Sequence, residues 1–401
     1  MRYFLVGWIY VIYEYALRVS DSVILVNLQN EYHLSSNHLA SLSSAYYFAY
    51  IGLMIPASIL IDRFGLFRVW IVAMSILAIG SLMFALAPNL EVLIIARILM
   101  GIGSAFAIIG IFALSVENIK YSGTLIGLTM LMAMVGALIG QGPWLQLTKY
   151  LGGWRETYLL AAVFGMILVC VWIIFCRGAK SLEKSKSLYS IFKDLKSLLK
   201  SPLFWVVALF MGCLSTPQTA FLALWGPTYL QKAYNIDATQ AAYWVSIITV
   251  GGLFGAIFFG WLSDKFVNIK YLLVLCGFAT VGLFILLIDG VFTSEIIIIF
   301  ILFLIGAITN ANTMIFAFLG RKFNNFPRAS VQGSANTLNM GGGPIMQILI
   351  GLIMSLQTSN ITNQLSLPVM RNAMYVIPIA LVIFSLIFIT LPKEKFITTK
   401  S

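Results

Sequence analysis

Ser58-Ile59-Leu60-Ile61-Asp62-Arg63-Phe64-Gly65-Leu66-Phe67-Arg68 sets three charges between two long apolar runs. The pattern returns 202 residues later as Gly260-Trp261-Leu262-Ser263-Asp264-Lys265-Phe266. A second pair keeps nearly the same offset. Gly140-Gln141-Gly142-Pro143-Trp144-Leu145-Gln146 and Gly341-Gly342-Gly343-Pro344-Ile345-Met346-Gln347 lie 201 residues apart. Two motifs recurring at one offset divide the chain into two similar halves, the arrangement by which membrane carriers build a site between repeated bundles.

Outward from these motifs the chain is 60% hydrophobic and 10% charged over 401 residues, a balance that polar surface cannot cover in water. A spanning helix takes about 20 apolar residues for roughly 30 Å of hydrocarbon. Twelve apolar runs separated by charged or Pro/Gly/Asn-rich breaks fill the sequence, including continuous helices expected near 4–28, 123–147, 202–230 and 295–319. The run after Met1-Arg2 has the look of a signal peptide until Glu14, Arg18 and Asp21 interrupt it, so it is read as the first membrane helix. The fold expected is an all-α membrane protein, twelve transmembrane helices in two pseudo-symmetric six-helix bundles. Residues 1–176 form the first bundle, 177–201 a basic cytoplasmic linker, 202–392 the second bundle and 393–401 a cytoplasmic tail.

Charge fixes the expected orientation. Nineteen Lys and Arg fall in segments on one side, against Lys149, Arg155, Lys232 and Arg371 on the other, so both termini are placed in the cytoplasm, as in a bacterial inner membrane. The formal charge of +11 therefore reflects topology, and nucleic-acid binding is excluded. Within the linker, Leu188 to Lys200 carries apolar residues at helical spacing and suits a membrane surface as well as a solvated connection. Cys170, Cys176, Cys213 and Cys276 lie in apolar runs without metal-ligand spacing and read as packing residues. No nucleophile elbow, phosphate loop or metal spacing supports an enzyme, and no cofactor or metal is implied.

Ser58 to Arg68 resembles the Gly-x-x-x-Asp-Arg-x-Gly-x-Arg signature of the major facilitator superfamily through Asp62, Arg63, Gly65 and Arg68, with Ser58 in place of the first glycine and Gly260 supplying it in the second copy. Arg97-Ile-Leu-Met-Gly101 resembles the Arg-x-x-x-Gly signature of proton-coupled members, and Gly153-Trp154-Arg155 is another superfamily feature. The resemblance covers the chain and implies the major facilitator fold and secondary transport by alternating access. A finer resemblance rests on Tyr13-Glu14-Tyr15-Ala-Leu-Arg18-Val-Ser20-Asp21-Ser22 and Leu42-Ser-Ser-Ala-Tyr46-Tyr47-Phe-Ala-Tyr50. It points to the phagosomal nutrient transporter branch of intracellular bacteria, which implies uptake of amino acids.

A charge at mid-bilayer costs about 2.5–3.5 kcal/mol on insertion scales, so ionisable residues inside the apolar runs are functional candidates. Glu14, Arg18 and Asp21 on helix 1 share a face at spacings of four and three, and Arg97 lies on helix 4. Arg18 is expected to hold a substrate carboxylate. Glu14 is expected to take the coupling proton, since a carboxyl at this depth can shed its charge that way. Asp21 and Arg97 join it as proton-coupling candidates, Arg97 by the superfamily resemblance. The plainer reading of all four is ion pairs that steady the bundle. Tyr13, Tyr47, Gln141, Gln218, Asn310, Asn336 and Asn339 complete the candidate substrate lining with Arg18; the amides read equally as interhelical glue. Tyr46, Tyr50, Trp225 and Trp244 wall a cavity or, more commonly for such residues, pack. Asp62, Arg63, Arg68, Asp264 and Lys265 read as a cytoplasmic gate. The glycines and prolines of the repeated Gly-x-Gly-Pro motif read as moving parts.

The expected function is proton-coupled uptake of a small polar nutrient such as an amino acid, by a monomer whose partners are the solute, protons and the bilayer. A multidrug/proton antiporter is the alternative, although Trp144-Leu-Gln146-Leu stands where that group places paired glycines. Weaker readings are an organic-anion or sugar-phosphate carrier, which lacks its second-half arginine here, and a non-transporting nutrient sensor.

Overall fold

Apolar runs of twenty or more residues with no water to satisfy their backbone must close their hydrogen bonds internally, and helices do so. In the computed structural model the described residues are 2–32, 36–117, 120–176, 187–266, 269–357 and 366–392, and they contain helices and no strand. Residues 177–186 of the expected linker and the tail 393–401 lie outside them. The spanning helices are α1 (Arg2–Val19), α2 (Ser36–Phe64), α3 (Leu66–Ala85), α4 (Leu90–Glu117), α5 (Ser122–Ile139), α6 (Trp154–Phe175), α7 (Pro202–Tyr234), α8 (Ala238–Lys265), α9 (Lys270–Ile288), α10 (Glu295–Lys322), α11 (Arg328–Gln357) and α12 (Leu367–Thr390). Eleven of them, α2 to α12, are long and apolar enough to cross a membrane. The first differs by holding Arg2, Glu14 and Arg18 in eighteen residues.

The chain forms two compact units. One contains Met1–Glu117, Thr129–Lys196 and Asn324–Ser334; the other contains Asn118–Leu128, Ser197–Phe323 and Ala335–Ser401. Each unit thus takes the opening turns of one helix, α11 or α5, from the opposite half of the sequence.

Inside each unit the repeat reappears as packing. Gly101 of α4 lies against the Tyr46 carbonyl of α2 so closely that a Cβ has no room, and Gly306 of α10 meets the Ile248 carbonyl of α8 in the same way. Small residues at these crossings let backbones approach and supply the dispersion contacts that hold helices together in lipid.

Four expected helices are interrupted. The run near 4–28 stops at Val19, passes through the 3-10 turn Ser20–Val23 and resumes as the short helix Leu25–Tyr32. The run near 123–147 breaks at Gly140-Gln141, ahead of a helix Gly142–Leu151, because Pro143 has no N–H for the Ile139 carbonyl and its ring would crowd that carbonyl in a continuous helix. In α10, Thr309 and Asn312 flank a break at Asn310-Ala311. In α7, Pro217–Trp225 winds as a π-helix, a geometry that concentrates at functional sites.

Candidate functional site

In the first unit the four interior charges form two buried pairs. Arg18 Nη2 donates to both carboxylate oxygens of Glu14 at 3.0 Å, and Arg97 Nη2 lies 3.2 Å from Asp21 Oδ2. Glu14 and Arg97 are fully buried, and Arg18 and Asp21 nearly so. The helical spacing of four aligns Glu14 with Arg18 on one face of α1. Arg97 explains why α1 ends there. It donates to the carbonyls of Leu17 at 2.9 Å and Arg18 at 3.1 Å, which supplies the end of the helix with a cation where its dipole is negative. Asp21, in the 3-10 turn just beyond, completes the clamp and accepts from Ser43 at 2.6 Å.

Aromatic rings enclose the cations. The Arg18 guanidinium lies 4.0 Å from the Tyr15 ring centre and 4.1 Å from that of Tyr50, and Arg97 lies 4.7 Å from that of Tyr46. Such stacking is worth roughly 2 kcal/mol where water is excluded. Tyr46 also donates to Glu14 at 3.1 Å. Arg18 Nε and Arg97 Nε are both buried without a hydrogen-bond partner, but Arg97 engages both of its terminal nitrogens whereas Arg18 engages Nη2. A guanidinium with one nitrogen committed to Glu14 retains donors for a second carboxylate.

The expected lining divides. Arg18, Glu14, Asp21 and Arg97 come together. Tyr47 is partly exposed and stacks edge-on against Tyr46. Tyr13 does not join them: its hydroxyl donates to the Ala161 carbonyl at 2.8 Å and its ring meets Phe164, so it packs α1 on α6. Successive helical residues point about 100° apart, which turns Tyr13 off the face of Glu14. Gln141 sits exposed in the break after α5. Tyr46 and Tyr50, which the sequence reading gave mainly to packing, are functional candidates here together with Tyr15, to which it gave no role.

In the second unit the amides form their own cluster. Gln218, in the π-helical segment, donates to Thr309 at 3.1 Å, and Asn310 donates to the Gly306 carbonyl at 3.0 Å. Asn312 donates to Asn339 at 3.2 Å, while its own Oδ1 is buried without a partner. Gln347 donates to the Thr219 carbonyl at 2.7 Å. Asn336 is buried in α11. Asn312, which the sequence offers beside Asn310 as ligand or interhelical glue alike, is set apart by that unpaired acceptor.

The two conserved-offset aspartates hold helix starts within their own units. Asp62 accepts from Ala329 N at 3.1 Å, Ser330 N at 2.7 Å and Ser330 Oγ at 2.6 Å, at the opening of α11. Asp264 accepts from Gly123 N at 2.9 Å, Thr124 N at 2.8 Å and Thr124 Oγ1 at 2.7 Å, at the opening of α5. Carboxylates on orphan N–H groups at a helix start gain from both hydrogen bonding and the dipole. Arg321 joins Asp264 at 3.5 Å, and Arg328 pairs with Glu117 at 2.7 Å. Arg63 lies near the Phe64 ring, Lys265 near the Trp261 ring, and Arg68 is exposed.

The family profile described as "Major Facilitator Superfamily" matches residues 6–347. A probable L-galactonate transporter of Escherichia coli is 25% identical over 64% of this chain and 59% of its own length. A probable sulfoacetate transporter of Cupriavidus necator is 23% identical over 66% and 65%. Multidrug resistance protein 1 of Bacillus subtilis is 22% identical over 62% and 64%. The chain thus spans 59% to 65% of the length of these curated relatives. Among solved structures, the major facilitator transporter FucP in its outward conformation superimposes with a TM-score of 0.71 at 17% identity, covering 96% of this chain and 98% of that one. The relatives and the solved structure are transporters rather than enzymes. The resemblance to the phagosomal nutrient branch finds no support among them.

Proposed function

The chain belongs to the Major Facilitator Superfamily, and from that premise we propose that it is a proton-coupled transporter of a small solute bearing a carboxylate, working by alternating access in a bacterial inner membrane with both termini cytoplasmic. The observation that carries the reading is the buried Arg18, tied to Glu14 through one nitrogen while Nε stays unpaired. A proton taken by Glu14 removes the charge that holds Arg18. The guanidinium is then free to receive the solute's carboxylate in its place, and the buried charge balance is conserved. Proton and anion therefore enter together. Asp21 and Arg97 hold the end of α1 while the solute is taken up.

The class is supported by the solutes named for two relatives, since L-galactonate and sulfoacetate are both carboxylates. An amino acid meets the same requirement through its α-carboxylate. The Asp62 and Asp264 caps act as latches that hold one state of the cycle and release in the other. A multidrug antiporter remains the second reading because of the Bacillus relative. Uptake into proteoliposomes of L-galactonate, sulfoacetate and the twenty amino acids, driven by an inward proton gradient, tests the proposal. At least one carboxylate should accumulate, and an uncoupler should abolish the accumulation. Drug resistance in a sensitised host with no carboxylate uptake would favour the antiporter.

A further inference from the structure

The helix Leu188–Leu199 between α6 and α7 has two unlike faces. Ile191, Leu195 and Leu198, at helical spacings of four and three, are buried within the protein. The opposite stripe is solvent-exposed: Tyr189 is 79% and Phe192 55% exposed, and Lys193 and Lys196 follow on the same face. A helix solvated only by water has no use for two large rings in that position. A helix lying in a headgroup layer does, with rings at the boundary and ammonium groups among the phosphates.

Its depth is set by a second contact. Trp205, in the first turn of α7, donates from Nε1 to the Leu199 carbonyl at 2.6 Å, and its indole is partly exposed. Tryptophan at the end of a spanning helix marks the interface between hydrocarbon and water. The hydrogen bond therefore fastens the end of the linker helix at headgroup level. The segment Arg177 to Lys200 holds seven basic residues and two acidic ones, a charge that complements an anionic leaflet.

We infer that the face formed by Tyr189, Phe192, Lys193 and Lys196 is a docking surface for anionic phospholipid headgroups, Lys193 and Lys196 contacting the phosphates. The purified full-length protein in detergent is titrated with phosphatidylglycerol or phosphatidylcholine, with binding read by native mass spectrometry and by Tm. Phosphatidylglycerol should raise Tm well beyond phosphatidylcholine. Lys193→Glu with Lys196→Glu should remove that increment, because each lysine near an anionic surface is worth about fivefold in affinity, roughly 30-fold for the pair. Lys193→Arg with Lys196→Arg should retain it, and Lys193→Gln with Lys196→Gln gives the same reading as the glutamates if those fail to fold. Equal responses of wild type and the charge-removed pair, equal responses to the two lipids, or a shift produced by inorganic phosphate but not by phosphatidylglycerol would overturn the inference.

Discussion

Arg18 and Arg97 each face a buried acid, yet their surroundings assign them different tasks. Arg97 spends its terminal nitrogens on Leu17, Arg18 and Asp21, so it is a fixture of the α1 end. Arg97→Lys keeps the charge without the fork that reaches three acceptors. It should lower Tm and weaken solute binding together. Arg18→Ala strands Glu14 in the interior at a cost of about 3–5 kcal/mol. The variant should still insert and should lose solute binding in a thermal-shift titration; undiminished binding would remove Arg18 from the site. The Glu14 to Arg18 pairing was legible from a spacing of four on a helix. Tyr15, three residues before Arg18, was legible in the same way, but the contacts of Tyr46 and Tyr50 were not, because nothing in a sequence says which neighbouring helix a ring faces. Tyr13 misled for a related reason: adjacency to Glu14 along the chain is divergence around the helix.

At the scale of elements, the repeated aspartates are helix caps before they are anything else. Asp62→Ala should cost the opening of α11 about 0.5–2 kcal/mol and speed amide exchange at Ala329 and Ser330, and Asp264→Ala should do the same at Gly123 and Thr124. Exchange unchanged at those amides would dismiss the latch. The glycines separate likewise by what surrounds them. Gly306→Ala drives a methyl into the Ile248 carbonyl and should lower Tm, whereas Gly341 has nothing within 4 Å and Gly341→Ala should be nearly silent. The repeated motif marked Gly341 as a moving part and left Gly306 unremarked. Apolar runs disclosed where helices lie, but the interruptions after Val19 and at Asn310-Ala311 escaped them. At Val19 the end of α1 is capped by Arg97, eighty positions beyond Leu17, donating to the Leu17 carbonyl.

For the whole molecule, the apolar runs and the two-fold repeat told most of the helical architecture in advance, because insertion into lipid constrains both directly. The solute was beyond that reach, since the superfamily's fold serves many solutes and only the lining of a site chooses among them. The central step of transport is that a proton on Glu14 releases Arg18 to bind a solute carboxylate, so that proton and solute are carried together. It is tested most directly by comparing wild type with Glu14→Gln in proteoliposomes, using a carboxylate that the wild type accumulates. The glutamine cannot carry the proton. The account predicts that Glu14→Gln still exchanges labelled for unlabelled solute across the membrane but no longer concentrates it under an inward proton gradient. Accumulation by Glu14→Gln to the wild-type level would contradict it.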